Sequence, residues 1–264
     1  MLSRYGLRCF ALGYLSLLLL APLGMVFWRT FEHGFWPAWD SITTSDARHA
    51  LYLTLLIAAI VVPANTVFGV LCALAIVRGR FPGKGIVNAL VDLPLALSPV
   101  VVGLALLLLY GRTGWLGPWL TDHGIQVVFA LPSLVLATIF VSLPFVVREV
   151  VPVLREIGTE QEQAAATLGA SRFQTFRKVT LPAIRWGVAY GVVLTMARAL
   201  GEFGAVSVVS GHIAGKTETM TQYVQAQYEG FNVAGAYAAS VLLAILAVIT
   251  LLAMTLVRRK EETV

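Results

Sequence analysis

Six long apolar segments follow one another along the chain, separated by shorter stretches that hold most of the charged residues. A bilayer core about 30 Å thick needs a helix of about 20 apolar residues at about 1.5 Å per residue. The segments that reach or approach this length are 9–28, 50–77, 86–110, 124–147, 187–211 and 230–257. Only the third and the fifth contain charged side chains. The pattern predicts an all-α membrane protein with six transmembrane helices.

The first apolar segment has an alternative interpretation as a secretory signal peptide. The apolar part of a signal peptide runs for about 7–15 residues and is followed by a small-x-small cleavage pattern. This segment is longer, and its Ala21-Pro22-Leu23 does not fit that pattern. We therefore expect a retained helix, and divide the chain into an N-terminal helix with its loop (1–49), a five-helix core (50–257) and a tail (258–264).

The composition agrees with a lipid-embedded chain. Hydrophobic residues make up 58% of the sequence and charged residues 12%, whereas about a quarter of the residues in soluble domains are charged. The formal net charge of +5 does not indicate nucleic-acid binding, because the basic residues are not clustered with aromatic ones. Cys9 and Cys72 lie in apolar segments, without CxxC spacing or a nearby histidine. They predict buried, unpaired thiols and no metal site.

The basic residues are distributed unevenly between alternate connections. Cytoplasmic loops of membrane proteins carry the excess of Lys and Arg. Fourteen of the nineteen basic residues fall on one side, namely Arg4, Arg8, Arg78, Arg80, Lys84, Arg148, Arg155, Arg172, Arg177, Lys178, Arg185, Arg258, Arg259 and Lys260. The other side holds Arg29, Arg48, Arg112 and Lys216, and Arg198 lies within a span. Both termini are therefore expected in the cytoplasm.

The longest predicted cytoplasmic connection, 151–186, has helix signals of its own. They are two capping boxes, a glycine stop and a proline stop: Thr159 with Glu162, Ser171 with Gln174, Gly169, and Pro182. These signals predict two short helices that meet at a bend. Small and apolar residues between them, flanked by arginine and lysine, would form a compact knob that suits a groove on a soluble partner.

At this connection the chain resembles the permeases of binding-protein-dependent ABC importers. Their cytoplasmic loop reads E-A-A, three residues, Gly, nine residues, then I-x-L-P. The corresponding residues here are Gln163, Ala164, Ala165 and Gly169, followed by Val179-Thr180-Leu181-Pro182. Gln163 replaces the glutamate, and the adjacent Glu162 is a candidate for its acidic role. The resemblance implies a type I importer permease fold, in which the residues from Glu162 to Gly169, with Leu181 and Pro182, form a coupling helix seated on an ATPase.

The chain contains no GxxxxGK[ST] stretch with which it could hold ATP phosphates. ATP and Mg²⁺ would therefore be bound by a separate ATPase subunit. The chain itself is expected to have neither catalytic residues nor a cofactor.

Arg198 and Glu202 form the charged pair that lies deepest in the apolar segments. At about 1.5 Å per residue, Arg198 is roughly 16 Å from Gly187, near the bilayer midplane. Each charge would cost about 2.5–3.5 kcal/mol on a lipid-facing helix, so both are expected to face protein or a water-filled path. One interpretation is that the two residues line the substrate path, and the alternative is that they form a neutralised pair that holds helices together. Arginine before the acid is the weaker order within one helix, which favours separate partners.

The stretch from Arg198 to Gly211 resembles the signature of sulfate and thiosulfate importers, in particular their W-type permease. It reads RALGEFGAVSVVSG. Molybdate permeases share the Gly-Glu-Phe-Gly-Ala core and differ just after it. Sulfate is thus the first expectation, with molybdate or tungstate as the alternative.

The third apolar segment carries Pro94 and Pro99, which should interrupt its hydrogen-bond ladder. Irregular backbone in a membrane is tolerated where it lines a cavity, so Ser98 and the nearby amides are candidates for the anion path. A kink that serves packing alone is the alternative. Asp92 is expected to pair with a basic residue of a cytoplasmic loop.

The resemblance implies a set of partners in a bacterial cytoplasmic (inner) membrane. They are a homologous T-type permease, two ATPase subunits, an extracytoplasmic sulfate-binding protein and the surrounding lipid, without nucleic acid. An ion-coupled secondary anion carrier is the alternative of another class. Such a carrier would not need the spacing of the coupling connection.

Overall fold

The computed structural model describes residues 2–32 and 34–262, and every regular element in those ranges is a helix. The all-α prediction is confirmed. The helices are α1 (Leu2–Leu15), α2 (Ala21–Phe31), α3 (Phe35–Ile42), α4 (Ser45–Arg78), α5 (Lys84–Ala96), α6 (Pro99–Tyr110), α7 (Gly117–Asp122), α8 (Leu131–Glu156), α9 (Glu160–Thr167), α10 (Arg172–Thr175), α11 (Leu181–Ala183), α12 (Arg185–Leu200), α13 (Gly204–Val209), α14 (Met220–Glu229) and α15 (Val233–Glu262). Two π-helical turns, Ser16–Leu20 and Phe176–Thr180, join α1 to α2 and α10 to α11.

Within the described residues, four helical stretches are long and apolar enough to cross a bilayer. They are Gly6–Phe31, Ser45–Arg78, Leu131–Glu156 and Val233–Leu252. Two bent pairs could add one span each: α5 with α6, bent by 110°, and the 172–183 stretch with α12, bent by 69°. The fold thus holds between four and six candidate spans.

The fourth and fifth predicted segments differ from the helices observed. The fourth was placed at 124–147, but α8 begins only at Leu131, because Gly124 and Phe129 adopt positive φ and the chain before α8 runs as a loop. The fifth was placed at 187–211, but α12 ends at Leu200 and α13 starts again at Gly204. Hydropathy cannot detect either change, since the residues involved are mostly apolar.

The centre of the fold is α8, which packs against α4 and α12 at unusually short separation. A Cβ atom added to Gly69 of α4 would lie 2.7 Å from Cβ of Val146 in α8. A Cβ atom added to Gly191 of α12 would lie 2.7 Å from Cα of the same valine. Val146 is fully buried between the two glycines. Small residues allow such close approach where lipid offers helices little hydrophobic drive to associate. The three helices therefore form one tightly packed unit.

The long helix α4 connects the two ends of this unit. Its N-cap residue is Thr44, whose hydroxyl accepts the Ala47 N–H at 3.2 Å, and the helix runs for 34 residues with Pro63 inside. Midway, the buried amide of Asn65 donates to Ser142 Oγ at 2.8 Å and to the Ile139 carbonyl at 3.1 Å. Polar contacts as well as apolar packing thus hold α4 to α8.

Among the described helices, α1 contacts the π-helical turn that leads into α2, and α2 contacts α3 and α15. Within this chain Cys9 is exposed and Cys72 is half-buried, and both are free thiols. The expected burial is wrong for Cys9, because none of the other described helices covers that face. The predicted tail is helical as far as Glu262, and residues 263–264 lie outside the described ranges.

Candidate functional site

Two helix interruptions lie side by side in the fold. One separates α5 from α6 at Leu97 and Ser98, and the other separates α12 from α13 at residues 201–203. A Cβ added to Gly204, at the start of α13, would lie 2.9 Å from Cβ of Pro99, at the start of α6. The first interruption was predicted from its prolines. The second carries no proline and was not predicted.

The helices that follow the interruptions pack tightly against each other. A Cβ on Gly103 of α6 would lie 2.7 Å from Cβ of Val208 and 2.8 Å from the Ala205 carbonyl oxygen of α13. The end of α13 is held in turn by the start of α8, because the Val209 carbonyl accepts the Phe129 N–H at 3.0 Å and the Ser133 hydroxyl at 3.1 Å. The interruptions are therefore fixed parts of the fold.

Glu202 anchors the second interruption. Its side chain is 1% exposed, and its Oε1 accepts the Ala205 N–H at 2.8 Å, in the first turn of α13. Its backbone carbonyl accepts the Thr221 hydroxyl at 2.8 Å, which ties α14 to the same point. A carboxylate at a helix start is favoured by the unsatisfied amides and by the helix dipole. The acid thus has a structural role that spacing alone did not indicate.

Arg198 lies beside this anchor but is much less buried. Its Nη2 is 2.8 Å from Glu202 Oε2, and its side chain is 32% exposed. The expectation of separate partners is therefore wrong. α12 ends at Leu200, so Glu202 is released from helical geometry and turns back toward the guanidinium. An arginine has five N–H donors, so contact with one carboxylate oxygen leaves others free for a ligand.

Ser98 lies at the first interruption and is exposed, with no capping hydrogen bond from its side chain. The amides of Val100 and Val101 come at the start of α6, before any helical carbonyl is available to accept them. A helix start of this kind favours anions because its amides and the helix dipole both present positive charge. Asp92 is not part of the group. It forms an ion pair with Arg148 of α8, as predicted, with Nε 2.6 Å from Oδ1.

The connection between α8 and α12 forms a second candidate site, the coupling segment (residues 159–183). Gly169 follows α9 with φ at +80°, and α10 begins with the predicted capping box. In that box Ser171 Oγ accepts the Gln174 N–H at 3.3 Å, and the Gln174 side chain accepts the Ser171 N–H at 2.8 Å. The predicted bend between two short helices is present, and the helix that contains Pro182 ends one residue later.

The other predicted capping box, at Thr159, does not form. Thr159 makes no capping bond to the backbone and instead accepts the Gln163 side-chain amide at 2.9 Å. Glu162 turns inward, where its Oε2 accepts from Arg78 Nε at 3.0 Å and its Oε1 from the Thr180 hydroxyl at 2.9 Å. Glu162 therefore does not present its carboxylate to the outside. Sequence reasoning missed Arg78, whose position at the end of an apolar segment gave the only signal.

Several residues of the coupling segment face outward. Leu168 is 88% exposed and Phe173 is 71% exposed. The exposed face also includes Gln163, Ala164, Gly169, Leu181 and Pro182, whereas Ala165 is half-buried. An open groove of about 790 Å³ runs along this face, with Ala164, Ala165 and Leu168 on one side and Lys178, Pro182 and Arg185 on the other. Apolar exposure of this extent is typical of a surface that binds a partner.

Long apolar helices with interruptions inside the bundle are typical of membrane-transport proteins. The family model "Binding-protein-dependent transport system inner membrane component" matches residues 65–262, which is most of the chain. The chain belongs to this family. It is accordingly an inner-membrane component of a transporter rather than an enzyme.

Among its relatives, the sulfate transport system permease protein CysW of Synechocystis sp. is 50% identical over 94% of this chain and 90% of its own length. The sulfate transport system permease protein CysT of Salmonella typhimurium is 41% identical over 89% of this chain and 85% of its own length. A chain of the bacterial alginate ABC transporter, crystallised with its alginate-bound periplasmic protein, superposes with a TM-score of 0.78. It covers 97% of this chain and 93% of that chain at 21% identity, so this likeness concerns the fold alone.

Proposed function

We propose that this chain is the W-type permease subunit of an ATP-driven importer that carries sulfate and thiosulfate across a bacterial cytoplasmic membrane. The observation that carries the proposal is the 50% identity to a sulfate permease over 94% of the chain. That similarity extends over both candidate sites. The family favours an importer over the ion-coupled carrier, because its members work with binding proteins.

In this proposal the two interruptions line the anion path. The sulfate dianion would exchange water for three kinds of donor: the Arg198 guanidinium, the Ser98 hydroxyl and the first amides of α6. Donors held in place by the fold need little rearrangement when the anion enters. Glu202 would keep Arg198 in position and would also limit the net positive charge, so that a bound anion can leave again.

The coupling segment would transmit the conformational change of the ATPase subunits to the membrane helices. Its exposed residues Gln163, Ala164, Leu168 and Gly169 would sit on an ATPase subunit, which binds ATP and Mg²⁺. The two CysW-like and CysT-like relatives support a heterodimer with a T-type permease. Two ATPase subunits and an extracytoplasmic sulfate-binding protein would complete the transporter.

We further propose six crossings with both termini in the cytoplasm, and the three-part division of the chain at residues 49 and 257. The fourteen basic residues on one side support this orientation. α5 and α6 would together form the third crossing, while α12 and α13 would form the fifth. The bend of 110° between α5 and α6 also suits a re-entrant loop, which would leave residue 113 on the cytoplasmic side.

Labelling of single cysteines tests this topology in a background that lacks Cys9 and Cys72. Ser45, Thr113 and Gln161 are all exposed, so each can be replaced by cysteine and offered a membrane-impermeant thiol reagent. Six crossings require labelling from outside at Ser45→Cys and Thr113→Cys but not at Gln161→Cys. Protection at Thr113→Cys, with labelling at both Ser45→Cys and Gln161→Cys, would show a re-entrant loop. Labelling at Gln161→Cys with protection at the other two positions would overturn the orientation.

Uptake measurements test the transport proposal. A strain that lacks this gene should take up radiolabelled sulfate only when the gene is restored, and excess thiosulfate should compete. Molybdate should compete weakly. Strong competition by molybdate with weak competition by thiosulfate would instead identify a molybdate or tungstate importer. Uptake that persists without the ATPase gene would identify an ion-coupled carrier.

A further inference from the structure

Arg78 is the last residue of α4, and its guanidinium joins three parts of the chain. Its Nε donates to Glu162 Oε2 of α9 at 3.0 Å, and its Nη1 donates to the Leu154 carbonyl of α8 at 3.0 Å. Its Nη2 donates to the carbonyl of Gly158. The arginine side chain is 19% exposed and the Glu162 side chain 23% exposed. These contacts define the Arg78 junction.

The acid of this junction is held from a second direction. Glu162 Oε1 accepts the hydroxyl hydrogen of Thr180 at 2.9 Å, and Thr180 is buried in the π-helical turn. Both carboxylate oxygens are thus engaged inside the protein. The Leu154 carbonyl belongs to the last turn of α8, where carbonyls have no helical donor, and a cation there also interacts favourably with the helix dipole. One guanidinium therefore caps α8 and fixes α9.

Helix α9 has little else to hold it to the spans. None of its eight residues is buried, and its main tertiary contacts are with α10 and the π-helical turn. Among the described residues, Arg78 to Glu162 is the side-chain hydrogen bond that joins α9 to a helix long enough to cross a bilayer. A displacement of α9 therefore reaches α4 and α8 through this junction and through the covalent link at 157–159.

α4 then leads from the junction to the helix interruptions. Ile57 and Val61 of α4 lie in one buried cluster with Val102 of α6, Leu200 of α12 and Val206 of α13. On the same helix, the Thr54 hydroxyl accepts the Met220 N–H of α14 at 2.8 Å. The helix thus contacts the coupling segment at one end and the walls of the proposed path at the other.

We infer that Arg78 is a positioning residue for energy coupling, which makes α9, α4 and α8 move as one body when the ATPase subunits act on the coupling segment. The inference rests on the proposed function. Without the junction, α9 would follow the ATPase while α4 and α8 lag behind. ATP hydrolysis would then continue with less anion carried for each ATP.

The test uses the complete transporter in proteoliposomes with its binding protein, and measures sulfate carried for each ATP hydrolysed. Arg78→Gln and Glu162→Gln should each lower this ratio about tenfold, the factor that corresponds to about 1.4 kcal/mol of lost interaction. Hydrolysis and complex yield should stay near wild type. The double variant should be no worse than either single one, because both changes remove the same contact. Arg78→Lys should lie between them and wild type.

Arg80→Gln is the matched control, since Arg80 is exposed and takes part in none of the ion pairs between described residues. An unchanged ratio in Arg78→Gln and Glu162→Gln would overturn the inference. A fall in yield, hydrolysis and uptake by one common factor would also overturn it, because it would show a structural role alone. If Arg78→Gln does not assemble, the ratio measured for Glu162→Gln tests the inference instead, since glutamine keeps the size of glutamate and one acceptor oxygen. A wild-type complex without ATP-dependent uptake would refute the proposed function instead.

Discussion

The region of the helix interruptions and the coupling segment are both organised around an arginine and a glutamate, but the two pairs are built differently. At the interruptions the acid is 1% exposed and the arginine 32% exposed. At the coupling segment the two side chains are equally shielded, at 19% and 23%. The first pair therefore leaves its cation accessible, whereas the second pair uses both members within the protein.

The difference indicates which member of each pair a ligand can reach. Glu202 is fixed by a backbone amide of α13 as well as by its arginine, so Arg198 is the member that is available to an anion. Arg78 and Glu162 have further contacts on each side, to carbonyls and to a hydroxyl. The Arg78–Glu162 pair, whose hydrogen-bonding groups are engaged within the protein, suits the transfer of a movement between helices. The Arg198–Glu202 pair, whose arginine is partly exposed, suits the recognition of a charged ligand.

The largest expected effect follows from removal of the buried acid. Glu202→Ala should destabilise the complex by about 3–5 kcal/mol, because it leaves a partly buried arginine uncompensated and removes the support of α13. Glu162→Ala should cost less, about 1 kcal/mol, since the Glu162 side chain is 23% exposed and Arg78 keeps its carbonyl acceptors. Yield in size-exclusion chromatography and the thermal unfolding midpoint in detergent measure both. Equal losses would contradict the assigned difference in burial.

The next effect concerns the accessible cation. Arg198→Gln should lower sulfate uptake at least about tenfold, the result of about 1.4 kcal/mol of lost anion interaction, and should lower yield less. Glu202 keeps its bond to the Ala205 N–H in this variant. Adding Glu202→Gln should restore any lost yield without restoring uptake. Recovery of both quantities in the double variant would show a helix lock and leave the path to Ser98 and the amides of α6.

A smaller effect distinguishes backbone conformation from contact at the coupling segment. Gly169 has φ at +80° and open space around its Cα, so Gly169→Ala adds only backbone strain of about 1–2 kcal/mol. Gly169→Trp also adds bulk to the proposed ATPase surface and should abolish transport while the protein stays in the membrane. Gly83→Ala is the control, because Gly83 has φ at +92° in another loop. Normal transport by Gly169→Trp would remove the docking role.

The smallest effect concerns a buried acid that is not paired with an arginine in the structure. Burial raises the pKa of Glu218, the nearby Asp46 raises it further, and His212 opposes the shift. The folded state thus holds its proton to higher pH than the unfolded state, where glutamate titrates near about 4.3. Stability should therefore fall as pH rises from about 4.3 through the raised pKa. Glu218→Gln should flatten the pH dependence of the unfolding midpoint, whereas the exposed Glu229→Gln should leave it unchanged.

The two helix interruptions show how far the sequence could predict the lining of the proposed anion path. Pro99 disfavours helical conformation at Ser98, so the first interruption was predicted from the residues, although Pro94 lies inside α5 and does not end it. The second, at Gly201 to Phe203, lies in an apolar stretch without proline. It forms because Glu202 can accept the Ala205 N–H and the Thr221 hydroxyl can reach the Glu202 carbonyl. The contact with Ala205 is local, whereas the contact with Thr221 depends on the position of α14.

The two predicted capping boxes of the coupling segment also show where prediction from local sequence succeeds and where it fails. Ser171 and Gln174 satisfy each other within one turn, and the sequence predicted that box correctly. Thr159 and Glu162 have the same spacing, but Arg78 competes for the carboxylate from a residue 84 positions away. The Arg78 guanidinium and the Thr180 hydroxyl occupy both carboxylate oxygens of Glu162, so the local cap does not form.

The sequence by itself determined the helical class, the number of apolar segments and the motif of the coupling segment, because these depend on composition and on spacing within a turn or a segment. Only the tertiary structure decided that Glu202 is an anchor with Arg198 beside it, that the two interruptions adjoin, and that Glu162 belongs to Arg78. The second and the third of these depend on residues that are distant along the chain and close in space. Arg198, Glu202 and Ala205 are near neighbours in sequence, and their contacts depend on where α12 ends and α13 begins. Burial and hydrogen-bond geometry, which the order of residues does not specify, select the partner of each charged group.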